Sequence, residues 1–319
     1  ASDVYKRQVL PKLDVRRGVP DDARTLIAIP ALVSDVAGVD ALFGRLERHY
    51  LGHRDPNLGF AIVADLPDAT EAVAPGDAAI RAELDASLAV LRARYPDGRF
   101  HLLLRERRFN PSEDRWMGWE RKRGKLAELG RLLLHGDAGS FAHLDLAAGE
   151  PFDYAFVLTL DADTVLPPGA GLRLIATAAH PLVRPRFASD GRLRSGYTVL
   201  QPRVDDLPES VGRTRFARWF SGAPGVDLYA HAVSEPFMDL FGEGIYAGKG
   251  IYEVAAFERA NAGKVPENAV LSHDLFEGGL GRAGLVSDVT ILESPPADYL
   301  THLRRLHRWI RGDWQLLPW

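Results

Sequence analysis

The stretch Tyr154-Ala155-Phe156-Val157-Leu158-Thr159-Leu160-Asp161-Ala162-Asp163 decides the fold, because an apolar run ends there in two carboxylates. Such a run is typical of a parallel strand that is buried on both faces. The two acids would follow the carboxyl end of the strand, where open α/β sheets bind ligands. Since carboxylate oxygens suit hard cations, Asp161-x-Asp163 predicts a Mg²⁺ or Mn²⁺ site that holds a nucleoside diphosphate. A strand-to-helix turn capped by Asp163 or Thr164 explains the tripeptide equally well.

Strands and helices alternate on the N-terminal side of this run. Apolar runs predict strands over 25–30, where Pro30 would end the strand, over 59–65 and over 99–105. Helical periodicity predicts helices over 36–50, around Ile80 to Leu91, and over 120–134. This alternation predicts a mostly parallel sheet flanked by helices, an α/β fold. After about Arg184 the pattern loosens into glycine-rich loops and aromatics, which we interpret as an elaboration of the same single domain.

Composition excludes several classes of protein. With 39 basic and 43 acidic residues among 319, the formal net charge is −4, which favours no nucleic acid partner. The chain has no cysteine, so disulfides and thiolate metal sites are excluded. No apolar run is long enough for a transmembrane helix, and no signal peptide is visible. Both ends look cut from a longer protein: residues 1–9 stay unassigned as a leader that need not be native, and 10–319 form the domain.

Two features could complete a nucleotide site. Asp65 ends a predicted strand at the same edge of the sheet, where its carboxylate would reach a base or ribose; the alternative is a solvated acid in the turn before Pro67. The run Glu120-Arg121-Lys122-Arg123-Gly124-Lys125 offers cations for a diphosphate. Its alternative is a solvated helix face.

Two features near the C-terminus suggest catalysis and binding. Asp274, in Ser272-His273-Asp274, could act as a general base or could cap a helix. Between Arg304 and Trp314 the sequence concentrates four arginines and two tryptophans, with Leu303, Leu306 and Ile310 on one helical face. A basic amphipathic helix suits a membrane surface, and Arg-Trp pairs suit a sugar phosphate. A surface helix that packs its apolar face on the core explains the same pattern.

The order of these features is more specific than any one of them. It resembles the D, D-x-D, D, (Q/R)-x-x-R-W series of processive family-2-type glycosyltransferases, with these members: Asp65, Lys122-x-Gly124, Asp161-x-Asp163, Asp274 and Arg305-x-x-Arg308-Trp309. The amino-acid sequence around the motifs is similar to the glycosyltransferase domain of bacterial cyclic β-1,2-glucan synthases, from about Leu10 to the end. The segments that carry this resemblance are Arg115-Trp116-Met117-Gly118-Trp119-Glu120-Arg121-Lys122-Arg123-Gly124-Lys125-Leu126, Leu200-Gln201-Pro202-Arg203-Val204, Leu240-Phe241-Gly242-Glu243-Gly244-Ile245-Tyr246-Ala247-Gly248-Lys249-Gly250-Ile251-Tyr252, Pro266-Glu267-Asn268 leading to Ser272-His273-Asp274, and Arg308-Trp309-Ile310-Arg311-Gly312-Asp313-Trp314-Gln315.

The resemblance implies a GT-A fold, UDP-glucose as donor, a growing β-glucan as acceptor, Mg²⁺ or Mn²⁺ as cofactor and inversion at the anomeric carbon. It also implies that membrane segments outside this chain hold the domain on the cytoplasmic face of a bacterial inner membrane. The resemblance further implies a role for each motif residue. Asp65 and Lys122 would contact the uridine end, and Asp161 and Asp163 would hold the metal and the diphosphate. Asp274 would be the general base, and the pyrophosphate and the acceptor would be bound by Arg305, Arg308 and Trp309.

The chain departs from the usual motif at two positions. His273 precedes the third acid where many relatives have Glu, and Arg305 stands at the usual Gln position. Two alternatives remain: a related processive β-glycosyltransferase with another sugar or linkage, and a nucleotidyl-transferring α/β enzyme. The second would want a basic phosphate loop after the first strand, and Pro30-Ala31-Leu32-Val33 is not one.

Overall fold

The structure, a computed structural model, describes residues 9–149, 151–221 and 236–318. Their contacts group into two units. The N-terminal unit comprises Val15–Ala162 and Glu253–Ala269. The C-terminal unit comprises Asp163–Tyr252 and Val270–Trp319 with Ala1–Asp14, as far as these residues are described.

The N-terminal unit is built on a five-stranded sheet in the order β7-β1-β2-β3-β6. Strands β7, β1, β2 and β3 are parallel, and β6 runs antiparallel to β3. A separate hairpin joins β4 to β5. The strands are β1 Thr25–Leu32, β2 Leu58–Asp65, β3 Phe100–Arg105, β4 Arg108–Asn110, β5 Arg115–Met117, β6 Phe141–Asp145 and β7 Phe156–Thr159. The helices are α1 Ala37–Gly52, α2 Asp77–Arg94, α3 Arg121–His135 and α8 Val254–Asn261, with a 3-10 turn at Asp21–Ala23.

The core of this unit follows the sequence pattern. Every residue of β2 and β3 is buried, which is why both strands are mostly apolar. Helix α1 buries the predicted face, Val39, Leu42, Phe43 and Leu46. Helix α2 likewise buries Ile80, Leu84, Leu88 and Leu91. The α/β class is therefore confirmed for this unit.

The prediction that Pro30 ends the first strand was wrong, because β1 continues to Leu32. Proline lacks an N–H, so it is normally excluded from central strands. On the edge of β1 that pairs with β7, the backbone oxygens of Arg24 and Ala28 accept hydrogen bonds from the N–H groups of Phe156 and Leu160, and β7 then ends. The backbone of Pro30 points to the same side two residues later, beyond that ladder. Its missing N–H therefore costs no hydrogen bond, while pairing with β2 continues.

The C-terminal unit contains more regular structure than predicted. Strand β10 pairs with β11 in antiparallel and with β12 in parallel fashion. The strands are β8 Arg186–Phe187, β9 Leu193–Ser195, β10 Val199–Asp206, β11 Gly250–Glu253 and β12 Ala283–Glu293. The helices are α4 Ala170–Ala178, α5 Pro208–Val211, α6 Arg215–Phe220, α7 Pro236–Phe241, α9 His273–Gly281 and α10 Tyr299–Leu316.

The interpretation of this region as loops was wrong above all for the 11-residue β12. Its alternation is interrupted by Asp288, whose carboxylate pairs with Lys12 and Arg173 at 2.9 and 3.0 Å. Charge pairing from distant segments thus hides the strand in the sequence. Apart from the hairpins β4–β5 and β8–β9, four of the strand pairs given for the described residues are parallel and two are antiparallel, so the predicted mostly parallel sheet is confirmed. Among the described residues, no helix combines the length and the apolar character that crossing a bilayer requires.

Candidate functional site

In the N-terminal unit, the first acid of the D-x-D motif lies directly beyond the carboxyl end of β7. The backbone N–H of Leu160 donates to Ala28, and Asp161 follows, half-buried. The Nζ of Lys122, in the first turn of α3, forms an ion pair with Oδ1 of Asp161. Two residues that the sequence predicted for one site, 39 positions apart, are therefore brought together.

Asp65, which ends β2, lies in a buried ionic network, so the alternative of a solvated turn acid is wrong. Its side chain is 8% exposed. Nε and Nη2 of Arg105 donate to its two oxygens at 2.7 and 2.8 Å, and Nζ of Lys125 lies 3.1 Å from Oδ2. A bidentate guanidinium–carboxylate pair fixes both position and orientation. The carboxylate is thus rigidly placed at the end of its strand.

The basic run 120–125 is not a solvated helix face. Arg123 and Lys125 are buried, and Lys125 also donates to the backbone oxygen of Ala31 at 2.6 Å. Burial lowers the pKa of Lys125 to about 8, although the charge of Asp65 works in the opposite direction. Sequence reasoning missed that Lys125 holds Asp65, because the sequence does not distinguish a buried lysine from an exposed one.

The turn before α3 explains the glycine of the Lys122-x-Gly124 motif. A Cβ on Gly124 would lie 1.9 Å from the backbone oxygen of Trp119, so a side chain there would push that carbonyl away. A Cβ on Gly118 would likewise lie 2.7 Å from the carboxylate carbon of Asp65. Both glycines allow the turn to pack tightly on the ionic network.

In the C-terminal unit, the second acid of the D-x-D motif has a carboxylate neighbour that the sequence analysis missed. Oxygens of Asp163 and Glu293, the last residue of β12, lie within 4.8 Å of each other. Glu293 accepts from Thr164 Oγ1 at 3.0 Å and pairs with Nζ of Lys249 at 2.5 Å. The capping alternative for Asp163 and Thr164 is wrong, because α4 begins only at Ala170.

These carboxylates fit a divalent cation. Asp163 is exposed, and its oxygens together with those of Glu293 form the hard donor set that Mg²⁺ and Mn²⁺ prefer. Thr164 and Lys249 hold Glu293 in place from outside this set, as residues around a metal site commonly do. A weak signal was present in the sequence: Glu293, like Asp65 and Asp161, follows a run rich in β-branched residues.

Asp274 lies in the first turn of α9 and is half-buried. It is not the N-cap, since Ser272 occupies that position. Its Oδ1 accepts the backbone N–H of Leu275 at 3.1 Å, and within the described residues no cation pairs with it. Beside it, Nδ1 of His273 lies 3.1 Å from Glu277. A carboxylate with this exposure can accept a proton from a hydroxyl group.

Helix α10 carries the Arg305-x-x-Arg308-Trp309 motif. The guanidinium of Arg305 stacks on the ring of Trp309 at 4.3 Å, and Arg308 is exposed. The alternative of a fully packed apolar face does not hold, since Leu303 and Ile310 are 38% and 48% exposed.

The same helix supports the segment before Asp274. Gln315 Oε1 accepts from the backbone N–H of Leu271 at 2.9 Å, and Ser272 Oγ donates to Asp313 at 3.2 Å. A Cβ on Gly312 would lie 2.1 Å from Ser272 Oγ, so this glycine permits the contact. Two motifs that are separate in sequence therefore meet within the C-terminal unit.

Comparison with known proteins agrees with the resemblance found in the motifs. No family model matches the chain. The chain is 43% identical over 307 residues to the cyclic beta-(1,2)-glucan synthase NdvB of Rhizobium meliloti (strain 1021). This similarity covers 95% of the chain and 11% of that protein, so the chain spans about a tenth of the length of the curated relative it matches. The predicted resemblance to a cyclic β-1,2-glucan synthase is confirmed: the chain is similar to a segment of such a synthase.

Proposed function

We propose that the chain is the glycosyltransferase part of a cyclic β-1,2-glucan synthase, with a GT-A fold, and that it transfers glucose from UDP-glucose to a growing glucan. The observation that carries this proposal is the D-x-D motif directly beyond a buried parallel strand, with Asp161 paired to Lys122. A diphosphate arriving there would meet a lysine as well as carboxylates. The 43% identity to a segment of the R. meliloti synthase supports the choice of reaction.

In this proposal the donor is held by carboxylates, one lysine and arginines. Asp65 and Lys122 bind the uridine end, as the motif resemblance implies. Asp161 and Asp163 hold Mg²⁺ or Mn²⁺, with Glu293 as a further oxygen donor. The ion, when bound, neutralises charge on the diphosphate. Arginine side chains also neutralise charge on the diphosphate, and they do so without a proton transfer because a guanidinium stays charged.

The transfer itself needs one base. Asp274 takes the proton of an acceptor hydroxyl, whose oxygen forms a bond to the anomeric carbon of the donor. The bond from that carbon to the diphosphate oxygen breaks, and UDP leaves with the electron pair. Because attack and departure occur on opposite faces, the anomeric configuration inverts. Arg305, Arg308 and Trp309 bind the pyrophosphate and the sugar, through charged hydrogen bonds and stacking on a sugar face.

The setting of this reaction is also part of the proposal. The longer protein that contains this segment would sit in a bacterial inner membrane through segments outside this chain, with this part facing the cytoplasm. UDP-glucose is a cytoplasmic metabolite, and a glucan acceptor is polar. No nucleic acid takes part in the proposed reaction.

Donor binding tests the proposal directly. The 319-residue chain is titrated calorimetrically with UDP, CDP, ADP and GDP in the presence of Mg²⁺ or Mn²⁺. We expect UDP to bind more tightly than the other three nucleotides, since the rigidly held carboxylate of Asp65 would contact the base or ribose. Equal affinities would argue against a uridine site, and no binding of any nucleotide with either metal would overturn the proposal.

A further inference from the structure

The side chain of Arg105, at the end of β3, is fully buried, with 0% exposure. All five of its N–H groups donate hydrogen bonds. Nε and Nη2 donate to Asp65 at 2.7 and 2.8 Å, Nη1 to the backbone oxygen of Trp119 at 2.9 Å and to Glu128 at 3.0 Å, and Nη2 also to the backbone oxygen of Arg121 at 2.9 Å. The cost of burying this charge is met by two carboxylates and two carbonyl groups.

The two carbonyl groups flank a strained turn. Glu120 and Arg121 have φ angles of 51° and 49°, although neither is glycine. Residues that carry a side chain are strained in the left-handed region and persist there only where their surroundings hold them. Arg105 bonds the carbonyl on each side of this pair. The turn leads directly into Lys122, whose Nζ pairs with Asp161.

We infer that Arg105 is a positioning residue for the nucleotide site, which fixes the Asp65 carboxylate and the Lys122 turn relative to each other. The inference rests on the proposed function, because the nucleotide site is part of that proposal. Because Arg105 itself is fully buried, it acts through the groups that it holds. Its planar fork can hold a carboxylate and two carbonyls at once, which a lysine cannot do.

The chain offers a matched control for this arginine. Arg107, two residues later, is also buried and forms a bidentate pair with Asp77 at 2.6 and 3.0 Å. It donates to the backbone oxygens of Pro67 and Ala72, and to no residue of the proposed donor site. Arg105→Lys and Arg107→Lys therefore remove the same chemical feature from similar surroundings, and differ in what the fork holds.

A second matched pair lies within α3. In Gly124→Ala the new Cβ would displace the Trp119 carbonyl, at 1.9 Å, from Arg105, while the Asp65 pair stays. In Gly130→Ala the nearest atom is 3.8 Å away, so this control leaves the turn unchanged. These variants decide the question if Arg105→Lys does not fold.

The experiment measures two quantities on the 319-residue chain and its four variants. Calorimetry gives the affinities for UDP and UMP with Mg²⁺ present. Hydrogen exchange of the peptide that spans 118–124, without nucleotide, reports on the turn. We expect Arg105→Lys and Gly124→Ala to lose about 10–100-fold in affinity for both nucleotides, the usual effect of removing a supporting residue, and to exchange faster at the turn. Arg107→Lys and Gly130→Ala should bind as the parental chain does.

The outcomes separate the two claims. If the parental chain binds UDP and folded Arg105→Lys or Gly124→Ala binds it equally well, the positioning role is overturned and the proposed function stands. If Arg107→Lys loses as much affinity as Arg105→Lys, the effect is general to buried ion pairs and the inference fails. If the parental chain binds neither UDP nor UMP, both the inference and the proposed function are overturned.

Discussion

Asp65 in the N-terminal unit and Asp274 in the C-terminal unit show how differently two carboxylates of one predicted motif series are held. Asp65 ends a fully buried strand and makes three short contacts with Arg105 and Lys125. Asp274 lies half-buried in a nine-residue helix and accepts one backbone N–H. The first arrangement suits a group that must stay in place, and the second suits a group that must exchange a proton. Substitutions of Asp65 should therefore affect folding and binding, and those of Asp274 chemistry alone.

The largest effect is expected for Asp274→Asn. The change is nearly isosteric and removes only the ability to accept a proton, so glucose transfer should fall on the order of 10²–10⁴-fold. Folding and UDP affinity should remain at parental values, because the side chain has no ion pair to lose among the described residues. Transfer is measured with radiolabelled UDP-glucose in the longer protein that contains this segment. Transfer at the parental rate would contradict the assignment and would make His273 the next candidate.

The pH dependence of stability should distinguish the buried amine of Lys125. Its pKa is lowered to about 8 from 10.5 by burial, so the folded chain releases this proton before the unfolded chain does. The cost of burying the charge is complete below pH 8 and disappears as the pH rises towards 10.5. The free energy of unfolding should therefore rise over this window, by up to on the order of 3 kcal/mol.

Urea unfolding between pH 7.5 and 10.5 measures this effect as the difference between the parental chain and Lys125→Met. We expect that difference to change with pH in favour of the parental chain. Lys264→Met, which removes an exposed lysine of the same unit, is the matched control. A constant difference between the parental chain and Lys125→Met across the window would show that Lys125 is not buried as a charged amine.

Asp163→Ala tests the metal. Mg²⁺ commonly shares its shell with substrate phosphates, so UDP should bind more tightly with Mg²⁺ or Mn²⁺ than without. The variant should lose about tenfold, or about 1.4 kcal/mol, of this metal-dependent affinity. Calorimetry with and without metal gives the values, and Asp190→Ala, at an exposed acid of the same unit, is the control. Metal-independent UDP affinity that Asp163→Ala leaves unchanged would refute the site.

The smallest effect concerns α10 and a membrane surface. Exposed Arg304 is not assigned to the donor site, and a basic residue at an anionic membrane contributes about 1 kcal/mol. Arg304→Ala should weaken binding to anionic vesicles by about fivefold. Liposome co-sedimentation measures it, with Arg48→Ala in α1 as the control. Partitioning that is equal for neutral and anionic vesicles and insensitive to salt, or none at all, would rule out the electrostatic membrane surface.

Sequence reasoning succeeded where a local pattern carries the structure. The helical faces of α1 and α2 and the strands β2 and β3 follow from periodicity and apolar runs, within one to three residues at each end. It also placed Lys122 and Asp161 in one site, although only through the order of the motifs.

The failures have a common physical cause. Arg105 meets Asp65 and Glu128 over separations of 40 and 23 residues, and no local period records such contacts. In the same way, Asp288 of β12 is paired from Lys12, 276 residues away. Buried charges look like exposed charges until the partner is known. Sequence analysis therefore missed Arg105 and Glu128, which support the site through such long-range contacts.

The product formed from UDP-glucose tests the central claim most directly. The longer protein that contains this segment is incubated in membranes with radiolabelled UDP-glucose and Mg²⁺ or Mn²⁺, and the linkage of the product is determined by methylation analysis. We expect glucan with β-1,2 linkages, which disappears in Asp274→Asn. A product with another linkage, transfer from a different nucleotide sugar only, or the same β-1,2-glucan from Asp274→Asn would contradict it.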